Sequence, residues 1–209
     1  RQRKFAEAQR HYELALQTDA TYGESVAGLA DVFNLQRRHV EAEAKAREAV
    51  RLGPLNVVAW FQLATALHHQ GKLDEAESCY RRILELNPAL YTPRRFLGNL
   101  LAAQGRTDQA IAQYQDALRI QPADADTRTV LGAVLLEQGR IEEAAAQLAE
   151  AVRLAPTNAL ANYQLAIVQQ GTGKLPEAIG SYRAALESQP AWPEALNNLA
   201  WLLASSAEA

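Results

Sequence analysis

Five prolines lie at a fixed spacing along this chain. Pro54, Pro88, Pro122, Pro156 and Pro190 stand 34 residues apart, four intervals in succession. A fixed period of 20–50 residues marks a repeat architecture, in which one supersecondary unit recurs and stacks on its neighbours. Other columns keep the same step. Leu29, Leu63, Leu97, Leu131, Leu165 and Leu199 form one, and the next is always small: Ala30, Ala64, Gly98, Gly132, Ala166 and Ala200. Ala8, Ala42, Ala76, Ala110, Ala144 and Ala178 form a third, and Gly71, Gly105, Gly139 and Gly173 a fourth. Tyr12, Tyr80, Tyr114 and Tyr182 form a fifth, with Ala46 and Leu148 in the remaining places.

Each column has a physical reason. A large residue followed by a small one gives the first helix of a unit an inner face that a second helix can approach. The alanine column lies where the two helices cross, and a bulky side chain there would push the backbones apart. The glycine column supplies the left-handed turn that ends the first helix. The aromatic column fills the gap between one unit and the next. Proline stops the second helix because it cannot donate the next backbone hydrogen bond. The units run 23–56, 57–90, 91–124, 125–158 and 159–192. In 57–90 the spacing predicts helices over about 58–70 and 74–87. Residues 1–22 fit only the second helix of a preceding unit, through Phe5, Ala8, Tyr12 and Ala15. Residues 193–209 fit only a first helix, a further repeat or a capping helix, through Leu196, Leu199, Ala200 and Leu203.

These residues resemble the tetratricopeptide repeat family. Trp60, Leu63, Ala64, Leu67, Gly71, Ala76, Tyr80 and Pro88 match its pattern of Trp, Leu, small, bulky, Gly, Ala, aromatic and Pro. The resemblance covers essentially the whole chain, 1–209, as one solenoid. It implies an all-α fold, a right-handed superhelix of antiparallel helix-turn-helix repeats, with first helices lining the concave side. Departures are few. Ile83 replaces a small residue, Gln169 a Leu or Phe, Arg94 and Arg128 the aromatic of Trp60, and Arg37 the turn glycine of 23–56. They put local packing in doubt rather than the fold.

The first helix of 57–90 carries no charged residue from Val57 to Gln70, and that of 159–192 none from Ala159 to Gly173. Charge gathers on second helices, as in Asp74, Glu75, Glu77, Arg81, Arg82 and Glu85. A neutral inner wall with unburied apolar groups is a candidate binding groove. Its inward columns read Val58, Phe61, Thr65, His68 and His69; then Arg95, Asn99 and Ala102; then Thr129, Ala133 and Leu136; then Tyr163, Ile167 and Gln170; and last Asn197 and Trp201. The earliest unit offers Glu24, Asp31 and Asn34. Phe61, Tyr163, Ile167 and Trp201 are expected to be apolar anchors for an extended or helical peptide. Arg95 and Asn99 are expected to hold a carboxylate or a backbone carbonyl. The alternative is that these side chains only pack along the groove. One branch of the family clamps the acidic C-terminal tails of chaperones. Arg95 and Asn99 match half of that clamp, but Val130, Leu160 and Gln164 stand where it needs Asn and two basic residues, so a chaperone clamp is not expected.

Chemistry is not expected either. His68 and His69 are adjacent on a helix, point about 100° apart and cannot chelate one ion together. His11 and His39 read as isolated and solvated. The single cysteine, Cys79, excludes an internal disulfide and shows no sign of activation. Asp74-Glu75 and Glu142-Glu143 sit in the first turn of second helices, where they complement the helix dipole. No metal, cofactor or catalytic residue is therefore assigned. Net charge is −3, and unit 91–124, despite its arginines, carries four positive against three negative residues, so no nucleic-acid groove is expected. No run of 18 apolar residues could insert in a membrane.

The chain opens at Arg1, mid-helix by the columns, and has no Met. It reads as a piece of a larger protein, and the bias of Arg over Lys with abundant Ala suits a GC-rich bacterial genome. The lone cysteine favours the cytoplasm, with the periplasm open if the parent carries a signal peptide. The expected function is a scaffold that binds a peptide or protein segment. Two alternatives stand beside it: the substrate-recognition arm of a larger glycosyltransferase or sulfotransferase, and a module that self-associates through uncapped ends. The truncated first end, with part of the packing face of Phe5 and Tyr12 laid open, is expected to be frayed or covered by another chain.

Overall fold

The computed structural model describes residues 2–206, and all regular structure among them is α-helical. The chain divides into two compact units, Arg1–Leu100 and Leu101–Ala209. The helices are α1 (Gln2–Thr18), α2 (Gly23–Leu35), α3 (His39–Leu52), α4 (Val57–His69), α5 (Leu73–Leu86), α6 (Tyr91–Ala103), α7 (Thr107–Ile120), α8 (Ala125–Glu137), α9 (Ile141–Leu154), α10 (Ala159–Gly171), α11 (Leu175–Ser188) and α12 (Pro193–Ser206). In 57–90 the observed helices lie one residue earlier at each boundary than the spacing predicts.

Within the first unit, α2 packs on α3 and also on α4, while α3 packs on α4 and α4 on α5. The second unit repeats this. There α8 packs on α9 and α10, and α10 on α11. In α2 and α8 the first helix thus touches both its own partner and the next first helix, as nested hairpins do. The columns are the core. Ala42, Ala76, Ala110, Ala144 and Ala178 are fully buried, as are Ala46, Tyr80, Leu148 and Tyr182. Gly132 shows how close the approach is: a Cβ there would lie 2.5 Å from Leu148 Cγ. Gly28 is equally tight against the ring of Tyr12. Of the departures, Ile83 is completely buried and Gln169 accepts a 2.8 Å bond from Ser181 Oγ, so both are absorbed by local packing.

The turns are fixed by two residue types. Gly71, Gly105, Gly139 and Gly173 have φ of +76°, +73°, +70° and +75°, the left-handed region open to glycine. Arg37, which replaces that glycine in 23–56, is driven into the same region at +61°. At the other end of each unit the residue before proline is extended: Gly53, Asn87, Gln121, Ala155 and Gln189 have ψ between +79° and +93°. Proline crowds the preceding residue out of the helical region, so the helix stops two residues before it. α1 is a regular helix whose Tyr12 and Leu16 pack against the cluster of Leu29, Phe33, Ala42 and Ala66, and Phe5 lines an open hollow together with Leu35, Gln36 and Arg37.

Candidate functional site

First helices present a recurring row of side chains beside their Leu-small columns, which are buried on α2, α4, α6 and α8. In the first unit the row on α4 begins with Val58, 57% exposed. Phe61 follows, half-buried, its ring edge-on to Tyr80 and to Phe96 with centroids 6.1 and 5.3 Å away. Thr65 spends its hydroxyl proton on the Phe61 carbonyl, 2.9 Å away. His68 is half-buried, and burial, then the neighbouring His69, lower its pKa. On α6 the Arg95 guanidinium lies over the Phe96 ring, 5.1 Å from its centroid, with Asn99 half-buried one turn on. The structure therefore brings Phe61 and Arg95 to one aromatic cluster. Phe96, which joins them, was not among the expected residues. Its column reads Gly28, Gln62, Phe96, Val130, Gln164 and Asn198, so no periodicity announces it.

The α2 contribution is polar. Asn34 is buried and donates to both the backbone and the side-chain oxygen of Gln62, each at 3.0 Å. Asp31 is half-buried. Burial raises its carboxyl pKa, only partly countered by a hydrogen bond from Gln62, and no ion pair is drawn to it among the described residues. His39 is not isolated, as the sequence suggested: its ring stacks on His69 with centroids 4.5 Å apart. Adjacent repeats bring together histidines 30 positions apart, which a reading of neighbours along the chain does not reveal.

In the second unit Tyr163 stands edge-on to Tyr182 at 5.8 Å and against Trp192 at 4.4 Å. Ile167 packs with it against a core of Ala166, Ala178, Tyr182, Ala195 and Leu202. Both anchors are thus shared between the row and the core. Gln170 accepts from the Tyr182 hydroxyl at 2.9 Å, and Asn198 donates to that hydroxyl at 3.3 Å. Asn197 is exposed and Trp201 is 59% exposed. Thr129, read as inward, is buried to 2%, its hydroxyl bonded to the Ala125 carbonyl at 2.8 Å, so it offers nothing to a ligand.

A further column emerges only from the structure. Trp60 Nε1 donates to the Pro54 carbonyl at 2.9 Å, Arg94 to Pro88 at 3.0 Å, Arg128 to Pro122 at 2.9 Å and Asn162 to Pro156 at 2.8 Å. The arginines that break the aromatic pattern keep its hydrogen bond. They tie the proline link to the first turn of the following first helix.

Burial pushes the Cys79 thiol up to about 11, the reverse of an activated nucleophile. No three His, Cys, Asp or Glu among the described residues are placed to hold a metal ion. No described helix is long and apolar enough to cross a membrane.

Sequence profiles of the tetratricopeptide repeat match residues 1–57 and 97–159, 56–123, and 135–202. No curated protein sequence matches the chain. Among solved structures it is similar to YrrB, described as a tetratricopeptide repeat protein with an unusual peptide-binding site, at 19% identity and TM-score 0.67, over 90% of this chain and 96% of that one. It is similar to pilF of Pseudomonas aeruginosa at 17% identity and TM-score 0.78, over 83% and 79%. A chain of the APC/C hetero-tetramer Cut9-Hcn1 aligns at 20% identity and TM-score 0.84, over 96% of this chain but 40% of that one. At these identities the likeness is one of fold. Profile matches along the length of the sequence, together with the stacked hairpins, show that the chain belongs to the tetratricopeptide repeat family.

Proposed function

We propose that this chain is a non-catalytic scaffold that binds a peptide or protein segment along the row of first-helix side chains. The observation that carries the reading is the division of labour on those helices. Leu63, Ala64 and Leu67 on α4 are buried to 3% or less, whereas Val58, Phe61, Thr65 and His68 of the same helix stay open to solvent in whole or part. Val58, Phe61, Thr65, His68, Arg95 and Asn99 are the binding residues of the first unit, and Tyr163, Ile167, Asn197 and Trp201 those of the second. Apolar anchors amid polar groups are what peptide recognition uses. The peptide-binding site of YrrB, a protein that shares this fold, agrees with such a role.

Asparagines strung along the row would favour a recognition arm of a glycosyltransferase. Here the amides of Asn34 and Asn198 are spent on Gln62 and on tyrosine hydroxyls, so that alternative draws no support from them. Self-association has one observation on its side: Leu196, Trp201 and Leu203 of α12 are 48%, 59% and 41% exposed.

The test is selection of peptides from a random display library on the full chain, followed by titration into variants. Phe61→Ala combined with Arg95→Glu is expected to weaken binding by at least tenfold, about 1.4 kcal/mol or more. Unchanged affinity, with the variant still folded, would overturn the assignment.

A further inference from the structure

The second helices of the first unit frame a different site. α3 and α5 run either side of α4 and leave a furrow of about 370 Å³, lined by Arg47, Val50, Arg51, Trp60, Leu63, Leu67, Glu75, Ser78 and Cys79. That volume falls within the range of about 300–1,000 Å³ usual for ligand clefts. The furrow is separate from the first-helix row, since it shares none of its residues. Its floor is apolar: Val50, Leu63, Leu67 and Cys79, with the half-buried indole of Trp60 as a wall.

The charges at its rim are not equivalent. Arg47 bonds Glu43 on its own helix and reaches Glu75 of α5 at 2.6 Å. It therefore ties the two walls together and has its carboxylates already. Arg51, one turn along α3 on the same face, is exposed and forms no ion pair or hydrogen bond among the described residues. An apolar slot beside an unspent guanidinium is complementary to a large apolar side chain followed closely by a carboxylate.

Two comparable furrows in the second unit lack this combination. In the one framed by α7 and α9, Arg119 is paired with Asp116, and Arg128 is held by the Pro122 carbonyl and Gln147. In the other, framed by α9 and α11, alanines line the slot and Glu142 and Glu177 face a single Lys174. Neither offers an aromatic wall with a free arginine.

We propose that the α3–α5 furrow is a second binding site, one that takes an acidic segment of a partner protein through a Leu or Phe side chain seated against Trp60 and Leu67 and a carboxylate on Arg51. This goes beyond the scaffold reading, since the row on the first helices plays no part in it.

The experiment uses the full chain with Trp192 and Trp201 replaced by Phe, so that Trp60 is the sole tryptophan. The probe is acetyl-Glu-Phe-Leu-Glu-amide, compared with its counterparts carrying Lys for Glu and Ala for Phe and Leu. The expected result is a saturable change in Trp60 emission with the first peptide alone. Arg51→Glu should cut the affinity tenfold or more. Ser78→Phe, which fills the slot from an exposed position, should abolish it, and Phe61→Ala should leave it unchanged. The proposal is overturned by an absence of saturation up to millimolar peptide. Equal binding of the Lys counterpart or of inorganic phosphate would overturn it too, as would loss of binding in Phe61→Ala with retention in Arg51→Glu. An emission change that follows chain concentration without peptide would assign the furrow to a second copy and also overturn it.

Discussion

Arg37 occupies a place that four glycines hold elsewhere in the chain, and it adopts their backbone, at φ +61°. A side chain with a Cβ pays about 1–2 kcal/mol for that conformation, whereas glycine costs more in the unfolded chain. The first effect is the larger, so Arg37→Gly should stabilise the protein by about 0.5–1 kcal/mol, read as a higher urea midpoint with an unchanged slope. The strain was legible in the sequence, because the glycine column identifies a left-handed position whatever residue fills it. The Trp60, Arg94, Arg128, Asn162 column was not legible in the same way. These residues share neither size nor polarity. Their common property, an N–H group that reaches a carbonyl six residues back, has meaning only once the proline link is folded.

Between elements, the first unit contains an ionic junction that no column forecasts. Glu43 of α3 is buried and accepts from Lys72 at 2.7 Å, from Gln70 at 2.8 Å and from Arg47 at 2.9 Å. Burial alone would raise its pKa. The bonds from Lys72, Gln70 and Arg47 outweigh that and hold the carboxyl at about 2. A folded-state pKa below the unfolded value of about 4.3 stabilises the protein above that value, and the contribution is lost as pH falls through the folded one. Glu43→Gln should therefore destabilise the chain at neutral pH by about 1–3 kcal/mol. The gap between wild type and variant, measured by chemical denaturation, should close from about pH 4.5 down to 2. A gap that persisted at pH 2 would show that shape, not charge, matters at this position. Helix positions came through the sequence almost unshifted, since a proline closes every full unit and a glycine turns four of the five. The junction did not, because its column runs Gln9, Glu43, Glu77, Ile111, Ala145, Ile179 and has no common chemistry.

For the molecule as a whole, periodicity reveals the architecture far better than the binding surface. The columns that recur are those that must fit between helices, and close packing tolerates little variation there. Residues that meet a ligand are free to differ from unit to unit, so Phe61, Arg95, Tyr163 and Trp201 stand out only by their place on the first helices. Tyr163 and Ile167 show the limit of that inference: position marks them as ligand-facing, and the structure gives them to the core as well. The most direct test of binding through the first helices is amide hydrogen exchange on the full chain, with and without a display-selected peptide. Added protection on α4 and α6, or on α10 and α12, with α5 and α11 unchanged, is the predicted outcome. Protection confined to the second helices would contradict the account.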